Sequence, residues 1–284
     1  MAAFLVTAIL ILPAGCLGKK STGYNTSDLV SGTLTITGDG IEQPGRYKVG
    51  ELRSMQDAVV GERYSAVNNV GTKNIFVGKG IQLSYLLEKA GMRDTAQSIK
   101  LMGADGYTVI LTREQLGEKR FYFPKLVEGS EEGAREVPAV LAWEYREGSS
   151  DLSQARSGSL RLLLGQTALK NVVVPAFVRD VVLIEVSNSV PGQWETVQAE
   201  PAPGKVEPGT GIVLNHPELD SVKIYYTTDG STPDEKSLIY NPSTTYFKPE
   251  LNRAITVNHD VTIKAIAVGF GKNNSQVAVF NYDT

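Results

Sequence analysis

Residues 81–91 read IQLSYLLEKAG, and this run sets the class of fold. Leu83, Leu86, Leu87 and Ala90 fall at i, i+3, i+4 and i+7, one stripe of a 3.6-residue period, so the spacing predicts a helix over 81–90 with Gly91 as its C-terminal cap. Around it the period changes. Thr33-Leu34-Thr35-Ile36-Thr37 alternates apolar and β-branched polar residues until Gly38-Asp39-Gly40 breaks it, which predicts a strand and a turn. Residues 98–101 and 107–111 flank Gly103-Ala104-Asp105-Gly106 as the arms of a hairpin. Thr112 and Gln115 have the spacing of a capping box, so a short helix starts there. Residues 160–164, 171–174 and 181–186 are apolar, β-rich runs that predict buried strands. The sum is an α+β fold in which strands dominate and short helices are inserted.

A chain of 284 residues exceeds the usual size of one core and predicts two domains. Hydrophobic content of 42% and charged content of 21% exclude wholesale disorder and a polytopic membrane protein. The 28 basic and 31 acidic residues leave a net charge of -3, too balanced for the positive surface that nucleic acid requires. The scarce residues say more. Cys16 is the one cysteine, and His216 and His259 are the two histidines. The stretch 17–215 therefore lacks the donors of structural zinc, haem and iron–sulfur sites, and lacks the base of a Ser-His-Asp triad. With a single cysteine, no intrachain disulfide forms and the redox compartment stays open.

Residues 1–12 (MAAFLVTAILIL) are uncharged and almost wholly apolar, and Pro13-Ala14-Gly15-Cys16 follows, then Lys19 and Lys20. This resembles a bacterial export signal ending in a lipobox: signal peptide 1–15, lipidation at Cys16, and a polar tether over 16–31. Pro13 stands where the aliphatic residue of that pattern usually sits, and the n-region has no Lys or Arg. The other reading is an uncleaved apolar anchor, which is short against the roughly 20 residues needed to cross a bilayer. The lipobox reading implies an extracytoplasmic protein held at the bacterial cell envelope through lipidated Cys16.

Five runs in order, TLTITGDGIEQPGRYKVGEL (33–52), VGKGIQLSYLLEKAGM (77–92), IKLMGADGYTVILT (99–112), GSLRLLLGQ (158–166) and FVRDVVLIEVS (177–187), resemble the sulfite-oxidase-type molybdopterin-binding domain in its small extracytoplasmic form. The resemblance spans 32–189 and implies that fold. Catalytic members hold molybdenum through a cysteine thiolate, and in the matching segment Tyr64-Ser65-Ala66-Val67-Asn68-Asn69 the residue in its place is Ser65. A serine hydroxyl is a hard, protonated donor, unlike a thiolate. The resemblance thus implies molybdopterin as the cofactor to consider, with Arg63, Lys73, Lys79, Arg161 and Lys170 either meeting its phosphate or forming an ordinary solvated surface.

Several residues carry two readings. Ser65 and Asn68 either bind a ligand or satisfy loop backbone groups. Asp105 and Tyr107, in an Asp-Gly-Tyr motif, are a polar pair at a pocket mouth, or a turn aspartate and a half-buried strand tyrosine. Arg161 points away from Leu160 and Leu162, so it faces a pocket or solvent. Phe121-Tyr122-Phe123-Pro124 lines a site or staples a loop. The acidic neighbours Glu131-Glu132 and Glu144 with Glu147 read as solvated loop residues and support no glycosidase.

Residues 190–209 contain Pro191, Pro201, Pro203 and Pro208 and read as a linker. Over 210–284, short β-rich runs at close spacing predict a β-sandwich. YYTTDGSTPDEKSLIYNP (225–242) and ITVNHDVTIKAIAVGFGKNNSQVAVFNY (255–282) resemble the chitobiase/β-hexosaminidase C-terminal-type module, which implies an immunoglobulin-like accessory domain. Tyr225 and Tyr226 alternate, one ring to the core and one out, and an exposed Tyr226 or Tyr240 would stack on a sugar. His216 and His259 read as two surface imidazoles or a metal pair. Taken together, the sequence points to a lipid-anchored extracytoplasmic binding or scaffold protein with a molybdopterin-domain fold lacking its metal thiolate. It leaves two alternatives: a molybdopterin-dependent oxidoreductase with non-cysteine ligation, and an adhesin for cell-wall glycan.

Overall fold

The computed structural model describes residues 29–244 and 247–284; the expected signal peptide, Cys16 and most of the tether lie outside the described residues. The first part of the chain runs β1 (Thr33–Thr37), β2 (Gly45–Lys48), α1 (Val49–Ser54), β3 (Val59–Val67), β4 (Lys73–Gln82), α2 (Leu83–Lys89), β5 (Ser98–Gly103), β6 (Thr108–Thr112), α3 (Arg113–Gly117), β7 (Phe121–Tyr122), β8 (Arg135–Glu136), β9 (Val140–Glu147), β10 (Arg156–Leu163) and β11 (Val181–Ser187). Strands dominate, as the periodicity predicts.

Two large sheets form here, in the orders β2-β1-β11-β5-β6 and β10-β9-β4-β3, beside the two-stranded β7-β8. β1 and β11 pair in parallel, Ile36 opposite Ile184, so the two ends of this part meet in the middle of one sheet. Alternation along β1 turns Leu34 and Ile36 inward, where they join Tyr64, Phe76, Leu101, Trp143 and Leu162 in one hydrophobic cluster. Each such side chain contributes about 1.5–3 kcal/mol by leaving water. Gly80 sits at a register shift between β4 and β9, where a Cβ would lie 2.0 Å from the carbonyl oxygen of Leu141.

The helix expected over 81–90 is α2, shorter by three residues because Ile81 and Gln82 finish β4 and Ala90 is its C-cap. Gly91, at φ +65, donates its N–H to the carbonyl of Glu88 at 2.8 Å and ends it. The capping box is present: Gln115 N–H donates to Thr112 Oγ1, and Thr112 N–H to Gln115 Oε1. The expected strand over 171–174 does not form. Val172 makes an isolated bridge to Val67, and a 3-10 turn begins at Val174, because Pro175 has no N–H to give a ladder. Glu144 and Glu147 are not loop residues but belong to β9, where alternation sends them to opposite faces.

The second part adds β12 (Gln198–Glu200), β13 (Gly204–Lys205), β14 (Thr210–Asn215), β15 (Lys223–Thr227), β16 (Leu238–Ile239), β17 (Ile255–Val257), β18 (Val261–Val268) and β19 (Ala278–Asp283). These make two sheets, β12-β14-β17 and β13-β19-β18-β15-β16, around a second cluster that includes Trp194, Ile212, Ile224, Ile263 and Phe280. Along β19, Ala278, Phe280 and Tyr282 face in while Val279 is exposed, the alternation of a sandwich strand. His216 is buried, not a surface imidazole. Its Nδ1 accepts the Glu218 N–H at 3.0 Å, which leaves Nε2 to donate to the Glu195 carbonyl.

The two parts are joined by more than the chain. Ile239 packs against a third cluster of Val67, Phe123, Leu126 and Val172. Glu235 accepts from the Asn171 amide at 2.6 Å and from the Thr167 hydroxyl. Lys170 Nζ donates to the Ser237 carbonyl at 2.9 Å, and Gln115 Nε2 to that of Gly269 at 2.9 Å.

Candidate functional site

Three of the five residues singled out from the sequence meet at one cavity. Asp105, Tyr107 and Arg161 line it with Val174, Pro175, Phe177 and Arg179, around about 230 Å³. The hairpin turn between β5 and β6 supplies the first two: Asp105 Oδ1 accepts the Tyr107 N–H at 2.9 Å, and Tyr107 Oη donates to the Pro175 carbonyl at 2.7 Å. The aspartate shapes the turn, and the exposed tyrosine, just ahead of β6, reaches the cavity wall.

Arg161 faces this cavity and not open solvent. Its two neighbours Leu160 and Leu162 are also buried, so β10 is covered on both faces at this point. The guanidinium lies 5.1 Å from the Phe76 ring centre, 5.4 Å from that of Tyr145 and 5.9 Å from that of Phe177, a stacked setting that suits a planar cation. Glu147 comes no nearer than 3.9 Å, and Arg161 Nε is buried with no hydrogen-bond partner among the described residues. Burial, and then the like charge of Arg179, pull the Arg161 pKa below its ordinary value. Two guanidinium groups thus share a small cavity with the Asp105 carboxylate in its wall and that of Glu147 at 3.9 Å from Arg161. The unpaired Arg161 Nε and the second guanidinium offer donors that suit an oxyanion.

Ser65 and Asn68 are elsewhere. Ser65 is fully buried in β3, where its Oγ accepts the Phe123 N–H at 2.9 Å. Asn68 Oδ1 accepts the N–H groups of Val70 and Thr72 at 3.0 and 2.8 Å and shapes the turn between β3 and β4. Neither lines this cavity or the two larger ones described below. Phe123 and Tyr122 are buried, with Arg135 over the Tyr122 ring, so the aromatic run staples its loop.

Ser65 also decides whether a molybdenum centre suits this chain. Its hydroxyl is sealed in the core and committed to Phe123, and the chain has no other cysteine than Cys16. The residues present do not fit the metal of a molybdopterin. Among the described residues no cluster of three His, Cys, Asp or Glu could hold another metal ion.

A second cavity of about 390 Å³ lies between the two parts, walled by β6, Glu118, Arg120, Asp220, Lys223, Glu235 and residues 268–271. Burial pushes Glu118 up to about 7 despite the opposing pull of Arg120, and burial draws Lys223 down to about 8. A third, of about 550 Å³, shares the Gln115, Glu118 and Arg120 wall and is lined mostly by apolar residues such as Leu83, Leu87 and Leu116. Arg179, Glu118, Lys223 and Glu235 were not singled out from sequence. Glu235, in a Pro-Asp-Glu-Lys run, reads there as loop surface, and only the docked fold half-buries it.

Residues 212–282 match a family model described as Fn3 associated. The match falls on the second sandwich. No curated protein matches the chain. Among solved structures, the sulfane dehydrogenase SoxCD from Paracoccus pantotrophus is a distant neighbour, at a TM-score of 0.37 and 12% identity over 87% of this chain and 68% of that one. No helix among the described residues is long and apolar enough to cross a membrane.

Proposed function

We propose that this chain is a lipid-anchored, extracytoplasmic binding protein of sulfite-oxidase-type fold whose pocket takes a small ligand bearing a phosphate or carboxylate, with no molybdenum chemistry. The C-terminal module, of the chitobiase-type immunoglobulin-like class, serves as its docked accessory. One observation carries the reading: the buried Arg161, with Nε unpaired, shares a cavity with Arg179 and Tyr107. A buried cation without its hydrogen bonds is costly, and a bound oxyanion supplies both charge and acceptors. Cys16 supplies the anchor in this reading.

Inorganic phosphate and pyrophosphate are the probes. Each is expected to raise the melting temperature of the mature chain in proportion to the logarithm of its concentration, and Arg161→Met to abolish the rise. Metal analysis of material from molybdenum-replete cells is expected to find none at stoichiometry. One equivalent of molybdenum, or a phosphate effect that survives in Arg161→Met, would overturn the reading. Cys16→Ser is expected to free the protein from membranes.

A further inference from the structure

β6 is the last strand of its sheet and, among the described residues, pairs only with β5. Two hydrogen bonds that continue this ladder fix which way its backbone points: Gly103 N–H donates to the Tyr107 carbonyl at 2.9 Å, and Arg113 N–H to that of Gln97 at 2.7 Å. In an antiparallel pair, bonded residues alternate with non-bonded ones. Tyr107, Val109, Leu111 and Arg113 therefore turn their N–H and C=O groups toward β5, and Thr108 and Ile110 turn theirs out of the sheet. No isolated bridge meets β6 among the described residues.

An open edge is ordinarily a hazard that a fold covers or blunts with charge or proline. This one is neither. Thr108, Val109 and Ile110 line the cavity of about 390 Å³ between the two parts. The facing wall is set back by fixed contacts: Gln115 Nε2 on the Gly269 carbonyl, and Lys223 Nζ on the carbonyls of Asn69 and Asn241 at 3.2 and 3.1 Å. The space left has the volume of a few residues of extended chain. Lys223 spends two of an ammonium's three donors on those carbonyls, in a buried position with the Asp220 carboxylate in the same wall.

We propose that this cleft binds a short extended peptide with a free α-carboxylate, added to β6 as a further strand. The outward N–H and C=O groups of Thr108 and Ile110 supply the ladder, and Lys223 meets the carboxylate. Main-chain pairing gives affinity without demanding a particular side-chain sequence. The site is separate from the Arg161 pocket, with which it shares only the Tyr107 and Pro175 wall.

The test uses the full mature chain and N-acetylated trialanine, as the free acid and as the C-terminal amide, at roughly millimolar concentration. The free acid is expected to slow hydrogen exchange at the Thr108 and Ile110 amides by about tenfold and to leave the Val109 amide, already in the ladder, unchanged. Thr108→Pro removes one outward donor at a position where an edge strand tolerates proline, and is expected to weaken the peptide by about tenfold, while Thr108→Ala is expected to bind like the parent. The amide probe, and Lys223→Met with the acid probe, are each expected to lose a comparable factor. Unchanged exchange at Thr108 and Ile110 in the parent chain would overturn the proposal whether or not the proline variant folds. Equal binding of acid and amide would overturn the role of Lys223.

Discussion

The hydroxyl of Ser65 accepts the backbone N–H of Phe123 at 2.9 Å, deep in the first part of the chain. That bond ties β3 to the aromatic loop after β7. It predicts that Ser65→Ala leaves a buried N–H unsatisfied and lowers unfolding free energy by about 1–3 kcal/mol, measured by denaturant titration. Ser65→Cys substitutes a weak acceptor of similar shape and is expected to cost less. It is also expected to gain no molybdenum, because a thiol there faces Phe123 and no cavity. Stoichiometric metal in Ser65→Cys would show that the site opens.

Arg161 is expected to separate binding from stability. Its guanidinium is buried without a close carboxylate, and replacing such a group with an apolar side chain of similar volume is often neutral or stabilising. Arg161→Met should therefore melt at or above the parent temperature without ligand, and lose the stabilisation that phosphate gives. Arg161→Ala removes the stem packed among Phe76, Tyr145 and Phe177 and is expected to lose about 1–3 kcal/mol. A strongly destabilised Arg161→Met would mean that the charge itself supports the fold.

What could be read from residues alone follows the range of the forces involved. Local signals held: the stripe of Leu83, Leu86 and Leu87, the Gly91 stop and the Thr112–Gln115 box act over a turn or two, and all three are present. Short β-rich runs announced the second sandwich, where a strand such as β19 has one solvated face, with exposed Val279 beside buried Phe280. Alternation failed where a strand is covered on both sides, so the period-2 argument put Arg161 toward pocket or solvent without choosing. Asp105, Tyr107 and Arg161 were each visible as candidates, but Arg179 completes the cavity through a bridge between distant segments. Glu235 and Thr167 are 68 residues apart, and no local pattern announces such a partner.

Glu118 gives the protein a defined response to pH. Its folded pKa of about 7 lies above the ordinary carboxylate value, mainly through burial, so between about 4.5 and 7 the native state holds a proton that the unfolded state has lost. Unfolding free energy from this group is therefore highest below 4.5 and falls as pH rises through 7. The parent is expected to lose on the order of 1–3 kcal/mol more than Glu118→Gln between pH 5 and pH 8, as the glutamine stays neutral throughout. Denaturant titrations of both proteins across that range check it. Parallel pH profiles would place the Glu118 carboxyl in water.

Glu235 holds the two parts together from the other side of the same cleft. Its oxygens accept from the Asn171 amide and the Thr167 hydroxyl, and burial raises its pKa. The loop it grips runs directly into residues 174–177, which wall the Arg161 cavity. Glu235→Ala leaves both donors without their acceptor in a half-buried place and is expected to cost about 1–3 kcal/mol, whereas Glu235→Gln keeps one acceptor and a neutral side chain and is expected to cost less than half of that. Hydrogen exchange gives the location as well as the size. In Glu235→Ala the amides of residues 166–173 should exchange faster while those of β1 and β11, in the middle of their sheet, keep parent rates. Because the gripped loop leads to the cavity wall, phosphate stabilisation should also weaken in this variant. Faster exchange confined to residues 234–238, with the cavity unaffected, would instead make Glu235 a local fastening of its own loop.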